Sequence, residues 1–150
     1  MTVEHRGRRV VGRGAACLLA LAALAAGTSF AGCGGNSKES EQKQSDQAAV
    51  RSVLSDLQAA SRAGNGKRIC EQIFTPKLAE SVSTSASSGS CATEVRQKLF
   101  SPRTRITVKD INVSDPANAT ATVTEANGNT STVSLVKQGG RWRIRGVRPA

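Results

Sequence analysis

Apolar and polar positions divide the chain into four stretches with different patterns. Residues 15–26 form an unbroken apolar run, whereas residues 34–45 contain no apolar side chain to bury. From residue 46 to about 100 the apolar positions recur every three or four residues, as in helices, and from 103 to 147 every second residue, as in strands. Helices followed by an antiparallel meander predict an α+β fold, with the helices packed on one face of a four-stranded sheet.

The helical stretch opens with one strongly amphipathic segment. Its apolar stripe has three- and four-residue spacing: Val50, Val53, Leu54, Leu57 and Ala60. Asp46 suits the N-cap of this helix, and Gly64 stands where a left-handed residue would end it. Three shorter helices are expected to follow, at 67–74, 76–82 and 91–100. Their predicted N-caps are Asn65, Thr75 and Ser90. Residues 83–90, rich in Ser, are expected to form a mobile loop.

Four short strands are predicted after residue 102. The inward-facing pairs of the first strand are Ile106 with Val108 and Ile111 with Val113. Because the parity shifts between these pairs, a bulge near Lys109 and Asp110 is needed to keep both on one face. Turns are predicted at three places: 115–116, 127–128 and 138–140. In the last strand Trp142 and Ile144 are expected to point into the core.

The first 32 residues are predicted to be a signal peptide. A basic n-region opens the chain, with Arg6, Arg8, Arg9 and Arg13. The 12-residue apolar run that follows would rise about 18 Å as a helix, too short for a hydrocarbon core of about 30 Å. The run therefore indicates the h-region of a signal peptide. The pair at 8–9 is also similar to a twin-arginine signal, and a plain basic n-region is the preferred interpretation.

The segment Phe30-Ala31-Gly32-Cys33 follows the h-region directly. A small-residue pair before a cysteine at this place resembles the lipobox of bacterial lipoproteins. The resemblance implies that Cys33 carries a diacylglyceryl group, that the chain is cut before Cys33, and that acyl chains such as palmitate hold the protein at the extracytoplasmic face of the cell membrane. Two acyl chains give stable anchoring. The alternative is ordinary signal-peptidase cleavage after Ala31, which would release a soluble exported protein.

Residues 33–45 are predicted to be the lipidated cysteine and a flexible tether. Gly, Ser, Lys, Glu and Gln dominate residues 34–45, and such a segment cannot repay the entropy lost on ordering. A flexible chain of this length spans about 20 Å. The folded domain, residues 46–150, would then lie close to the membrane and rotate freely.

Cysteine usage agrees with export. Cys17 would leave with the signal peptide and Cys33 would carry lipid, so Cys70 and Cys91 remain as a pair. In an oxidising compartment such a pair in a small domain predicts a disulfide. The alternative is two buried free thiols. A zinc site is not expected, because the only histidine, His5, lies in the signal peptide and two cysteines do not complete a zinc shell.

Basic residues outnumber acidic ones in the chain. The net charge is +10, and from residue 33 onward 17 basic and 10 acidic residues leave +7. Candidate contacts with anionic surfaces are the strand arginines Arg103, Arg105, Arg141, Arg143 and Arg145. A solvated outer sheet face would carry the same charges, because charged edges resist pairing. Nucleic acid is not an expected partner, since few aromatic residues remain for stacking.

The order of elements, the turn at 64–66 and the closing segment 139–144 resemble the nuclear-transport-factor-two-like (cystatin-like) superfamily, over residues 46 to 148. The resemblance is strongest to its small bacterial lipoprotein members. It implies a curved sheet around a long helix and a conical apolar pocket. Asp110 and Trp142 are the candidate pocket residues, since a bulge can turn a side chain toward a cavity.

The superfamily includes isomerases and cyclases, which use a pocket carboxylate as a general base. Beyond the signal peptide this chain has no Tyr and no His to assist such a base. We therefore expect non-catalytic binding of a small apolar ligand or a partner protein at the cell envelope. A small enzyme of the isomerase or cyclase type is the alternative. No cofactor is expected, and the domain is predicted to be a monomer or a weak dimer.

Overall fold

Helix α1 (Asn36–Arg62) is the longest helix in the computed structural model, which describes residues 36–99 and 105–150. Most of its predicted stripe is buried in the core: Val50, Leu54, Leu57 and Ala60. Val53 is half-buried at the margin. The chain reverses at Gly64, whose φ of 61° is the left-handed conformation expected there. The C-terminal part of this helix therefore agrees with the prediction.

Helix α1 begins earlier than predicted. Asp46 does not cap the helix, because α1 begins ten residues earlier and Asp46 lies within it, only 3% exposed. Residues 38–45 are exposed helix rather than a flexible tether. Lys, Glu and Gln are good helix formers, and Glu39 precedes Lys43 by four residues, the favourable order for a charged pair. Cys33 and the two residues after it lie outside the described residues.

Short helices fill the segment between α1 and the sheet. They are α2 (Gly66–Arg68), which continues as the π-helix π1 (Ile69–Ile73), then α3 (Pro76–Ser85), then α4 (Cys91–Glu94), which continues as π2 (Val95–Leu99). All three predicted caps are confirmed. Asn65, Thr75 and Ser90 accept hydrogen bonds from backbone N–H groups at 3.0, 3.2 and 3.4 Å.

Helix α3 is longer than predicted, so the first three residues of the expected loop at 83–90 are helical. The hydroxyl of Ser83 explains part of this difference. It donates a hydrogen bond to the Ala79 carbonyl at 3.0 Å and accepts one from the Cys91 backbone N–H at 3.0 Å. Ser83 thus joins the last turn of α3 to the start of α4.

The predicted disulfide between Cys70 and Cys91 is present and joins π1 to α4. The backbones of α2 and α4 meet beside it. A Cβ atom added to Gly66 would lie 2.1 Å from the carbonyl oxygen of Ala92. Glycine is therefore required here by close approach, because no side chain fits between the two helices.

The sheet has the predicted order, β1-β2-β3-β4, with every neighbouring pair antiparallel. Its strands are β1 (Ile106–Asp115), β2 (Asn118–Glu125), β3 (Thr130–Gln138) and β4 (Arg141–Pro149). The predicted bulge in β1 is confirmed, since the register shifts between Val108 and Asp110. Val108 and Ile111 consequently pair with Val123 and Ala121, and all four belong to the inner face.

A bulge in β4 was not predicted. Leu135 pairs with Ile144 and Ser134 with Gly146, so Arg145 has no partner across the β3–β4 ladder. The shift lets Ile144 and Val147, three residues apart, both pair with inward-facing residues of β3. Strict alternation therefore ends at Arg145, and the shared face predicted for Arg141, Arg143 and Arg145 stays a prediction, with Arg141 and Arg145 exposed and Arg143 half-buried.

Both edges of the sheet are engaged by the helical layer. At β4, Phe74 forms a parallel bridge with Ile144, and the Thr75 N–H donates to the Ile144 carbonyl at 2.8 Å. At β1, two glutamines of α1 bond to the backbone. Gln47 donates to the Ile111 carbonyl at 3.1 Å, and Gln58 accepts from the Ile106 N–H at 3.0 Å. These contacts satisfy polar groups that an edge strand otherwise exposes.

Candidate functional site

A groove of about 360 Å³ lies between the middle of α1, π1 and the turn that joins β3 to β4. Its apolar floor is formed by Ile73 and Trp142, which are buried, and by half-buried Val53. Polar side chains surround this floor: Ser52, Asp56, Arg68, Gln72 and Arg141. We call this site the Trp142 groove. It combines an apolar surface with charged groups at the mouth, as small-molecule sites commonly do.

Trp142 is positioned by a polar cluster on the inner side of the sheet. Its indole Nε1 donates a hydrogen bond to Oδ1 of Asp46 at 3.1 Å. The same oxygen accepts from Lys137 Nζ at 2.7 Å, and Asp46 Oδ2 accepts from Gln42 Nε2 at 3.1 Å. The Lys137 ammonium also lies 5.6 Å from the centre of the Trp142 ring, within cation–π range. We call Gln42, Asp46, Lys137 and Trp142 the Asp46 cluster.

The Asp46 cluster holds its carboxylate in the charged form. The hydrogen bond from Lys137 is the largest influence and lowers the pKa of Asp46, and bonds from Gln42 and Trp142 act in the same direction. Burial opposes them without reversing the shift. Two of the three donors, Lys137 and Trp142, join α1 to β3 and β4, whereas Gln42 belongs to α1 itself. Because its two oxygens already accept three hydrogen bonds and its pKa is lowered, Asp46 is suited to positioning Trp142 rather than to accepting a proton.

Positive charges outnumber negative charges at the groove mouth. Arg68 Nη2 lies 3.0 Å from Oδ1 of Asp56, and both side chains are half exposed. Arg141 is exposed, and no acidic side chain within the described residues pairs with it. The groove therefore contains two arginines and one carboxylate.

The other predicted arginines have different surroundings. Arg143 turns toward the end of π1, where Nη1 donates to the carbonyls of Glu71 and Phe74 at 2.8 and 3.0 Å. Arg105 and Arg145 are exposed, and Arg103 lies outside the described residues. Arg143 therefore acts as a structural donor at a helix end, and of the four predicted arginines that the structure describes only Arg141 lines the Trp142 groove.

The two predicted pocket residues, Trp142 and Asp110, lie at different places in the structure. Trp142 lines the groove, whereas Asp110 is exposed at the β1 bulge and lines neither the groove nor three other depressions, which lie over 63–67, 81–85 and 113–116. Asp115 accepts from the Ala117 N–H at 2.8 Å and from Asn118, which lowers the pKa of its carboxyl. It thereby stabilises the β1–β2 turn.

The ion pair between Asp46 and Lys137 was not predicted from the sequence. A signal for Lys137 was present, because it continues the inward parity of Val133 and Leu135. A lysine at an inward position requires an acceptor, and the helix that crosses the sheet is the natural source. Asp46 was assigned to a cap because the helix start was placed ten residues too late.

Comparison with known proteins identifies no relative: the chain matches no protein-family model, no curated protein and no solved structure. Across the described ranges, none of the helices has the length and apolar character needed to span a membrane. In the same part of the chain, no group of three or more His, Cys, Asp or Glu side chains is placed to hold a metal ion.

Proposed function

We propose that this chain is an exported lipoprotein, anchored through Cys33, whose domain binds a small ligand with an apolar body in the Trp142 groove without catalysis. The geometry of the groove supports the ligand-binding part of the proposal. It places Ile73, Val53 and Trp142 side by side in an open cavity of about 360 Å³, which is within the usual range of small-molecule sites of about 300–1,000 Å³. The helices packed on a four-stranded meander are also compatible with a nuclear-transport-factor-two-like (cystatin-like) fold.

Binding is favoured over catalysis by the state of the carboxylates. A general base works best when its pKa lies near the operating pH. The pKa of Asp46 is lowered and its oxygens are already bonded to three donors. Asp56 lines the groove, but it is paired with Arg68. These contacts support a site that orients a ligand by charge and apolar surface, rather than an isomerase or cyclase site.

The start of α1 changes how the proposed anchor would work. Two residues separate Cys33 from Asn36, and three residues reach about 10 Å at most. The ten helical residues 36–45 add about 15 Å. Their sequence has no apolar face to bury in lipid, so the helix would stand in water as a polar stalk. We therefore propose that the helical residues 36–45 separate the domain from the bilayer.

Mass spectrometry of the protein taken from its own membrane tests the anchor. We expect a chain beginning at Cys33 with added acyl mass, and we expect Cys33→Ala to lose both the acyl mass and the membrane association. An unacylated chain cut after Ala31 would contradict the lipoprotein proposal and leave the groove unaffected.

Titration with 1-decanol tests the groove, with Trp142, the only tryptophan of the chain, as the fluorescent reporter. The purified Cys33→Ser chain is used, because this change leaves every described residue intact. We expect a saturable change in emission that Val53→Gln weakens at least threefold. Val147→Gln is the matched control, since Val147 is 51% exposed and does not line the groove. If decanol leaves the emission unchanged, or if both variants behave alike, the proposal fails.

A further inference from the structure

The mouth of the Trp142 groove has a surplus of positive charge. Arg68 is paired with Asp56 at 3.0 Å, whereas Arg141 is exposed and has no acidic partner within the described residues. The neighbouring cation, Lys137, is already bonded to Asp46 at 2.7 Å. Arg141 is thus the guanidinium at this site that remains available to a ligand, and guanidinium groups pair well with carboxylate or phosphate oxygens.

The floor beside Arg141 is apolar and small. Trp142 is the next residue in the chain, and it lines the groove together with Ile73 and Val53. A volume of about 360 Å³ lies at the lower end of the range for small-molecule sites, about 300–1,000 Å³. The cavity therefore suits one hydrocarbon chain of medium length better than a two-chain lipid.

We propose that the Trp142 groove binds a single-chain amphiphile with an anionic head group, whose head pairs with Arg141 and whose chain lies on Val53, Ile73 and Trp142. This inference rests on the proposed ligand-binding function and adds the class of ligand. The side chain of Gln72, also at the mouth, can donate to a second oxygen of the head group.

Binding of three ten-carbon probes to the purified Cys33→Ser chain separates charge from chain length. The probes are decanoate, 1-decanol and decyltrimethylammonium, each below its micellar concentration and followed by Trp142 emission. We expect decanoate to bind about fivefold more tightly than decanol, which is the upper end for an exposed ion pair, and the cationic probe to bind most weakly. Raising the salt from 0.05 to 0.5 M should reduce the preference for decanoate, because the Debye length shortens.

Variants at Arg141 test its role directly. Arg141→Gln should remove the preference for decanoate over decanol, and Arg141→Lys should keep most of it, which shows that the groove remains folded. Arg145→Gln is the matched control, because Arg145 is an exposed arginine of the same strand outside the groove. Equal binding of decanoate and decanol, or an unchanged preference in Arg141→Gln, would overturn the anionic-ligand inference and leave the ligand-binding proposal standing.

Other results would separate this inference from the ligand-binding proposal. If none of the probes changes Trp142 emission, the ligand-binding groove and this inference fail together. Decyl phosphate, as a fourth probe, tests whether the head group is recognised by its charge. We expect decyl phosphate to bind at least as tightly as decanoate. Vesicles of phosphatidylglycerol form the last arm. If they change the emission through Arg141 while free decanoate does not, the site is a membrane-contact surface and the inference is overturned.

Discussion

The sheet and the helical segment between α1 and β1 are held together by different interactions. The sheet consists of three antiparallel hairpin pairings between strands of eight to ten residues. The helical segment contains α-helical and π-helical pieces of three to ten residues, shorter than the length at which isolated helices become stable in water, about 12–15 residues. The sheet is supported by continuous ladders, whereas the short helices depend on contacts that the chain makes at single points.

Those single points are of three kinds. One is covalent, the Cys70–Cys91 disulfide; one is steric, the contact of Gly66 with Ala92; and one is the set of side-chain caps at Asn65, Thr75 and Ser90. The helical segment is therefore the more easily destabilised of the two regions. A substitution at one point of the helical segment should cost more stability than a comparable substitution on the outer part of the sheet.

Removal of the disulfide should have the largest effect. Cys70 and Cys91 are 21 residues apart, and closing a loop of that size stabilises a fold by about 3 kcal/mol. We expect the double variant Cys70→Ala/Cys91→Ala to lose about that much free energy of unfolding in urea denaturation. A reductant should destabilise the wild-type chain similarly and leave the double variant unchanged. A loss below about 1 kcal/mol would show that the caps and close packing suffice without the covalent link.

The close contact at Gly66 comes next. Gly66→Ala would place Cβ 2.1 Å from the Ala92 carbonyl oxygen, so α2 and α4 must separate, and we expect a loss of about 2 kcal/mol. Gly146→Ala is the matched control in the sheet, since nothing lies within 4 Å of its added Cβ. We expect that control to be neutral or slightly stabilising in the same urea experiment. Equal losses in both variants would remove the steric distinction between the two regions.

Sequence patterns predicted the sheet more completely than the helices, because strand order and turns are encoded locally. The bulge in β1 followed from the parity shift between Val108 and Ile111, and glycines marked two of the three hairpin turns. The three caps and the disulfide were also predicted from local residue types. Each of these features depends on residues close together in sequence, or on the one pair of cysteines left in the domain.

Features that depend on distant partners were missed. The bulge at Arg145 changes how Ile144 and Val147 pair with β3, which alternation alone does not show. The start of α1 was placed at Asp46, since a polar helix without an apolar stripe resembles a linker. The Asp46 cluster joins residues 91 and 96 positions apart, and no local pattern relates them. Only Trp142 and Arg141 of the groove were among the predicted site residues.

The Asp46 cluster connects α1 to the sheet, so Asp46→Asn tests the link between the two regions. Asparagine keeps the shape but loses the charge-assisted bonds to Lys137 and Trp142, and we expect a loss of about 1–2 kcal/mol at pH 7. Lys137 is 28% exposed, which limits the cost of leaving it unpaired. Asp56→Asn on the same helix is the control, and its exposed pair with Arg68 should contribute less than about 1 kcal/mol.

The same cluster predicts a dependence on pH. The pKa of Asp46 is lowered in the folded state from its ordinary value of 3.8, so the unfolded chain binds the proton more readily. The stabilisation is therefore complete above pH 3.8 and is lost as the pH falls through the lower, folded-state pKa. Urea denaturation between pH 2 and pH 7 should show the wild-type chain converging on Asp46→Asn at acidic pH. A constant difference across this range would mean that the carboxylate charge is not what stabilises the cluster.

The smallest predicted effect is at Thr75, where the helical segment meets the sheet. Its hydroxyl caps α3 by accepting from the Leu78 N–H at 3.2 Å, and its own N–H donates to the Ile144 carbonyl at 2.8 Å. Thr75→Ala removes the cap and a buried methyl group, whereas Thr75→Ser removes only the methyl, so we expect Thr75→Ala to be less stable than Thr75→Ser by about 1 kcal/mol, the contribution of the cap. The bond to Ile144 is unaffected in both variants. Hydrogen exchange should therefore speed up in α3 alone with Thr75→Ala; faster exchange in β4 as well would show that the cap also supports the sheet edge.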